Sequence, residues 1–242
     1  IKRLLRENPF DQVAIALDAA AIAERGATAE SEALQGFDRF VRALEPAPPK
    51  PYATTAAFNA ALTEHATSHA SLKIAPPSHA TRGGEHSGDL TTHDESGVMA
   101  AMRRMLTGVV NGIIRELDPK EDHPFVQNIP KRWTLDIWSV VMRRGGHQTP
   151  HIHANGWMSG VYYPEVPSDI PDEKPAQGEP SGWLEVGRPG ARIAHENAPP
   201  IRLFQPKPGR LIVFPSFVHH RTIPLESDQR RVSVAFDVVP QK

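Results

Sequence analysis

Apolar residues recur at helical spacing in the first half of the chain and at every second position in the last third. Residues 9–45 read as two helices; the second opens near Thr28 and carries Leu34, Phe37, Val41 and Leu44 as a stripe that needs a packing partner. PAPPKP, residues 46–51, then breaks the chain as a stiff linker. A third helix spans about Thr55 to Ala70, with Phe58, Leu62 and His65 on one face. Residues 71–91 contain two adjacent prolines and RGGEHSGDL, and read as an ordered loop. A fourth helix follows from about Glu95 to Leu117 with the stripe Val98, Met102, Met105, Val109 and Ile113. Thr92 and Glu95 fit a capping box at its start.

From Trp133 onward the period is two. The spacing predicts strands over 132–143, 157–163, 182–186, 201–204, 210–214 and 231–239, separated by Gly and Pro clusters. Helices first and short strands afterwards argue for an α+β chain, or for a barrel with helices packed outside it. No repeat of 20–50 residues is visible, and one helix pair does not establish a solenoid.

Composition narrows the chemistry. With 39% hydrophobic and 23% charged residues, 242 positions are enough for a sizeable core. A formal net charge of −1 gives no electrostatic reason to expect nucleic acid or an anionic membrane as partner. The absence of cysteine removes disulfides and thiolate sites, so histidines and carboxylates must hold any metal. No apolar run approaches the roughly 18 residues that span a bilayer. The Ala-rich stretch from Ala14 to Ala23 is interrupted by Asp18 and followed by Glu24 and Arg25, as in an amphipathic helix rather than a signal-peptide core. The chain begins at Ile1, as expected of a fragment or trimmed chain, and the cytoplasm is the default location.

The run GGHQTPHIHANGWMSGVYY, residues 145–163, concentrates the candidate chemistry. In a strand, residues i and i+2 share a face, so His151 and His153 can aim two imidazoles at one point. FPSFVHH, residues 214–220, offers a third. His219 and His220 are adjacent and face opposite ways, which places His220 at the metal and leaves His219 facing solvent or supporting the site. Three imidazoles with open positions suit Fe, Zn, Cu or Ni. The spacing from Gly145 to the His-x-His pair resembles the first motif of cupin-type double-stranded β-helices. That motif continues with a Glu, where this chain has Trp157 and Met158. In RRVSVAF, residues 230–236, Arg231 and Ser233 share one face and Val232, Val234 and Phe236 the other. An Arg pointing into a barrel needs an anion; the plain alternative is a strand-end salt bridge with Asp228 or Glu226.

Taken in order, the His-x-His pair, NGWMSGVYY, GWLEVGRP, PKPGRLIVFPSFVHHRTIP and RRVSVAFDVVP resemble the 2-oxoglutarate/Fe(II) oxygenases related to the prolyl hydroxylases, over about 130–240. RGGEHSGDL is similar to a segment found upstream in those proteins. The resemblance implies a double-stranded β-helix (jelly-roll or cupin-like barrel) with an N-terminal helical layer, Fe(II) as cofactor and 2-oxoglutarate as co-substrate. It places His151 and His220 at metal-ligand positions, and His153 where most such enzymes carry Asp or Glu. Arg231 and Ser233 match the Arg-x-Ser that holds the distal carboxylate of 2-oxoglutarate. Tyr162 and Tyr163 are adjacent strand aromatics, one of which must point inward and could donate to the co-substrate; Tyr163 is the candidate. Family members often follow tetratricopeptide repeats, so residues 1–45 are expected to be a helical segment left from such a region, with residues 52–242 forming the oxygenase domain and its flanking helices. The expected reaction is hydroxylation of a protein side chain or small molecule, with release of succinate and CO2.

Other residues invite weaker readings. Glu64-His65 with His69 is a helix face, because its order is not the His-Glu-x-x-His of zinc proteases. His79, His86 and His93 fall in the loop region, and His147 stands close enough to support the site. Trp138 and Trp157 read as core or pocket wall. Two rival functions stay open: a three-His cupin-like metalloenzyme without 2-oxoglutarate, which has no need of Arg231, and a non-catalytic interaction module.

Overall fold

The structure is a computed structural model, described for all residues except 92–96, 192, 194–196, 198 and 242. In chain order its helices are α1 (Lys2–Glu7), α2 (Gln12–Glu24), α3 (Thr28–Gln35), α4 (Thr55–Ser68), α5 (Gly97–Glu116) and α6 (Pro124–Gln127). Its strands are β1 (Arg42–Leu44), β2 (Lys73–Ile74), β3 (Thr81–His86), β4 (Trp133–His151), β5 (Met158–Glu165), β6 (Leu184–Val186), β7 (Arg202–Phe204), β8 (Leu211–Pro215), β9 (His220–Thr222) and β10 (Arg231–Pro240). The main path of the sheet is β1-β8-β5-β10-β4-β9-β6-β7, and every pairing is antiparallel. It curls into the nearly closed barrel of a double-stranded β-helix. Long β4 belongs to both walls, because Trp133–Met142 pairs with β10 whereas Gln148 and His151 pair with β9.

Strand alternation decides what lies on each side. On β10, Val232, Val234, Phe236 and Val238 join the main core with Phe58, Leu62 and Ala66 of α4 and Met99, Met102 and Leu106 of α5. The alternate residues Arg231, Ser233 and Ala235 line the barrel's interior cavity. The α5 stripe is buried as expected at Val98, Met102, Met105 and Ile113. The proposed Thr92–Glu95 capping box and His93 lie outside the described residues.

Three expectations are corrected. The helix opening at Thr28 stops at Gln35, because Gly36 takes a left-handed conformation (φ 67°) and its N–H closes back on Glu32 and Ala33. Phe37, Phe40 and Val41 still reach the core, but through a turn, and Arg42–Leu44 becomes an edge strand on β8. Residues 71–91 are more than a loop, since β2 and β3 form a hairpin laid against β4. The glycines of RGGEH permit this contact: a Cβ on Gly84 would lie 2.9 Å from the Val141 carbonyl oxygen. Finally, β4 runs on past 143 to His151, bending at register shifts in its pairing with β3 and β9. Among the described residues no helix is long and apolar enough to cross a membrane.

Trp157 anchors the barrel to α6. Its ring stacks on Phe125 with centroids 4.5 Å apart and 3° between planes, and its Nε1–H donates to the Phe125 carbonyl at 2.7 Å. Trp157→Ala is expected to destabilise the fold by about 3–5 kcal/mol, the range for emptying a buried aromatic site. Urea unfolding of parent and variant measures it.

Candidate metal centre

The end of β4 and the start of β9 are hydrogen-bonded neighbours, and their register sets His151 directly opposite His220. Two residues on, His153 is fixed by its backbone N–H, which donates to the Ser216 carbonyl at 3.0 Å. The three ring centroids are 4.2 Å (His151–His220), 4.9 Å (His153–His220) and 5.2 Å (His151–His153) apart. One ligand nitrogen from each lies within 4.8 Å of the other two. Glu185 of β6 braces this edge. It is buried, and accepts from Arg188 Nε at 2.6 Å and from Arg221 Nε at 2.7 Å. Burial pushes its carboxyl up, but the two guanidinium groups outweigh that and hold it below its ordinary range.

The hydrogen bonds fix which nitrogen each imidazole can offer. His151 Nδ1 lies 2.8 Å from the Thr149 carbonyl and His220 Nδ1 lies 3.1 Å from the Val218 carbonyl. His153 Nδ1 lies 2.6 Å from Asp237 Oδ1. Carbonyl oxygens only accept, so Nδ1 of His151 and His220 carries the proton and the Nε2 lone pair is left over. Burial, with help from the neighbouring His153, pushes His151 down to about 4. Burial together with His151 and His153 pushes His220 well below its usual value. These imidazoles are therefore neutral at neutral pH, as metal ligation requires. A divalent metal fits: three imidazole nitrogens converge, and each ring holds its Nδ1 in a hydrogen bond of the kind that orients ligand histidines.

The same cavity is lined by Arg231, Ser233, Tyr163, Gln148, Thr222, Trp138, Val140, Leu184 and Phe214. Arg231 is 1% exposed, and its Nε and Nη1 have no hydrogen-bond partner. Its guanidinium carbon sits 4.9 Å from the centroid of the Tyr163 ring, whose buried hydroxyl is also unpartnered. Burial lowers the Arg231 pKa, and burial raises that of Tyr163 against the pull of Arg231. The strand-end alternative is not realised: Arg231 pairs with neither Asp228 nor Glu226, its Nε and Nη1 being unpartnered, and Asp228 instead accepts from Arg144 Nε and Nη2 at 2.6 and 2.9 Å. Arg230 pairs with Glu165 through two hydrogen bonds of 2.9 and 2.7 Å. A buried guanidinium with orphaned donors is costly unless an anion meets it. A small carboxylate entering the cavity fits that requirement.

Several candidates fall elsewhere. His219 is buried rather than facing solvent; burial pushes its pKa down to about 4, yet it contributes no nitrogen to the cluster. His147 turns its Nδ1 to the Gly145 carbonyl, and the His65 and His69 rings lie against each other, tilted by 50° with centroids 5.5 Å apart. Tyr162 points away from the cavity and donates to Asn59 at 2.7 Å. Ser233 reaches the Val140 carbonyl at 3.4 Å. Trp138 does line the cavity, and His86 stacks on it. Sequence reasoning passed over Gln148 and Asp237. The latter was findable, since the alternation that turns Arg231 and Ser233 inward does the same for Asp237.

Residues 136–237 match the sequence profile of a family described as "Putative 2OG-Fe(II) oxygenase". No curated protein matches the sequence. Among solved structures, a Pseudomonas putida prolyl-4-hydroxylase superposes with a TM-score of 0.51 at 16% identity, over 89% of this chain and 98% of that one. A collagen prolyl hydroxylase from Paramecium bursaria Chlorella virus-1, solved with 2-oxoglutarate, gives 0.52 at 10% identity over 84% and 97%. HygX from Streptomyces hygroscopicus, solved with nickel and 2-oxoglutarate, gives 0.52 at 11% over 89% and 87%. At these identities the structural likenesses speak to the fold.

Alanine at His151, His153 or His220 is expected to lower the metal content of the purified protein, with near-UV circular dichroism unchanged because each lies at a strand end. His219→Ala, His65→Ala and His69→Ala are expected to keep the parent's metal content. Elemental analysis decides; a His219→Ala variant that loses metal while His220→Ala keeps it would contradict this register.

Proposed function

We propose that the chain acts as a 2-oxoglutarate/Fe(II) oxygenase, the family whose profile residues 136–237 match, with His151, His153 and His220 holding the iron and Arg231 anchoring the co-substrate. The observation that carries this reading is the buried, carboxylate-free guanidinium of Arg231 in one cavity with three converging imidazoles. When bound, Fe(II) with 2-oxoglutarate supplies the activation of O2 that oxidises a substrate C–H bond, releasing succinate and CO2.

The residues of the chain divide the remaining work. The three imidazoles bring their ligand nitrogens within 4.8 Å of one another, and three protein ligands leave positions free for a co-substrate. Arg231 offers its unpartnered Nε and Nη1 donors to the distal carboxylate of 2-oxoglutarate, and its planar fork suits a carboxylate. The Tyr163 hydroxyl, held neutral by burial, donates to the same group, and Ser233 stands beside it on β10. Val140, Val161, Leu184 and Phe214 wall the cavity with apolar surface that excludes water and strengthens these contacts. The primary substrate is a protein side chain or small molecule. A three-His enzyme without 2-oxoglutarate leaves the buried Arg231 unexplained.

Two measurements test the reading. With Fe(II) supplied, the protein should release succinate from 2-oxoglutarate even without its primary substrate; no succinate above a His151→Ala control would contradict it. Hydrogen bonds to a charged group contribute about 1.5–3 kcal/mol, so Arg231→Gln should weaken 2-oxoglutarate binding about 10- to 150-fold. Arg230→Ala should leave binding unchanged, because that side chain is committed to Glu165. Anaerobic titration of the metal-loaded proteins reads both, and equal affinity of the two variants would contradict the assignment.

A further inference from the structure

The three imidazoles are not equivalent. His151 and His220 direct their Nδ1–H at backbone carbonyls, but His153 directs its Nδ1 at the Asp237 carboxylate, 2.6 Å away. The contact is largely shielded from water, the two side chains being 14% and 15% exposed. A small network drawn from three strands and the turn between them holds the carboxylate in place. Ser159 of β5 donates its hydroxyl to the same oxygen at 2.6 Å, and Ser216, just beyond β8, lies 2.8 Å from Ser159 Oγ. Above them the turn after His153 closes so tightly that a Cβ on Gly156 would sit 2.5 Å from Ser216 Oγ and 3.4 Å from Asp237 Cγ. The segments NGWMSG, FPSFVHH and AFD each contribute one member, and the metal and co-substrate use none of these members directly.

The electrostatics explain why a carboxylate belongs there. Three neutral ligands leave a divalent ion with its full 2+ charge, whereas a set of two histidines and one carboxylate reduces it to 1+. A carboxylate that accepts the Nδ1–H of a ligand imidazole makes Nε2 a stronger donor and fixes the ring's tautomer and direction. We propose that Asp237 is a positioning residue that acts through His153 on the metal, restoring from one hydrogen bond away the negative charge that a three-histidine set lacks. The proposal rests on the reading that His151, His153 and His220 hold the metal, and its test separates the two.

Co(II) is titrated into the full-length protein, followed by its visible absorption, for the parent, Asp237→Asn, His153→Asp, the double variant and a His151→Ala control. Asp237→Asn keeps the shape of the side chain and an oxygen acceptor but removes the charge. It should weaken Co(II) binding by about 10- to 100-fold and shift the absorption band. In the His153→Asp background the same change should have little effect, because the metal-binding carboxylate no longer acts through an imidazole. Equal losses in the two backgrounds would mean that Asp237 serves only the fold and would overturn the proposal. So would unchanged affinity of Asp237→Asn when His151→Ala has lost the metal. A His151→Ala protein that binds as the parent does would overturn the triad itself, and the proposal with it. Should Asp237→Asn fail to fold, Ser159→Ala, which unlocks the carboxylate without changing the chain's charge, carries the test: weaker Co(II) binding supports the proposal and parental binding overturns it.

Discussion

Successive residues of β10 cannot face the same way, and both of its faces are committed. Val232, Val234, Phe236 and Val238 close the helix side of the sheet, while Arg231, Ser233, Ala235 and Asp237 are turned into the barrel. A slip of one residue would push a guanidinium and a carboxylate into the apolar layer under α4, so the register of this strand is strongly held. Because β10 pairs with β4 over ten residues, from Arg231↔Met142 to Pro240↔Trp133, the same constraint fixes β4. The far end of β4 in turn delivers His151 to His220. The site is thus a consequence of the sheet's alternation, and helices α4 and α5 supply the apolar surface that enforces it.

Inside the barrel the charges are arranged so that each has work left to do. The three imidazoles bring a ligand nitrogen each to one point, the buried Arg231 keeps unpartnered Nε and Nη1 donors, and Tyr163 keeps its hydroxyl. Such unsatisfied groups destabilise a fold unless something outside the chain completes them. On the proposed reading, a divalent cation and a dicarboxylate would complete both sets with opposite charges. By contrast, the carboxylates that serve structure are already engaged: Glu185 between Arg188 and Arg221, Glu165 by Arg230, Asp228 by Arg144.

Much of this was legible in the order of residues, and for a physical reason. His151, His153, Arg231 and Ser233 lie in or at the end of strands, where a period of two says which side chains share a face. The adjacent pair His219-His220 was divided by the same rule, and the structure brings His220, not His219, to the other two imidazoles. What was not legible depends on long-range contact. The turn at Gly36 overrides a helical stripe, since Phe37 and Phe40 are apolar whether the chain continues as helix or not. The β2–β3 hairpin hides in a Gly-rich run whose strand character comes only from pairing with β4. Asp237 is a single acid in a hydrophobic strand, and its partner His153 is 84 residues away.

The most direct test of the whole arrangement is a crystal structure grown anaerobically with Fe(II) and 2-oxoglutarate. One ion should be bound by Nε2 of His151, His153 and His220, with the distal carboxylate of 2-oxoglutarate on Arg231. An ion held by other residues, or a co-substrate whose distal carboxylate leaves Arg231 unpaired, would contradict it.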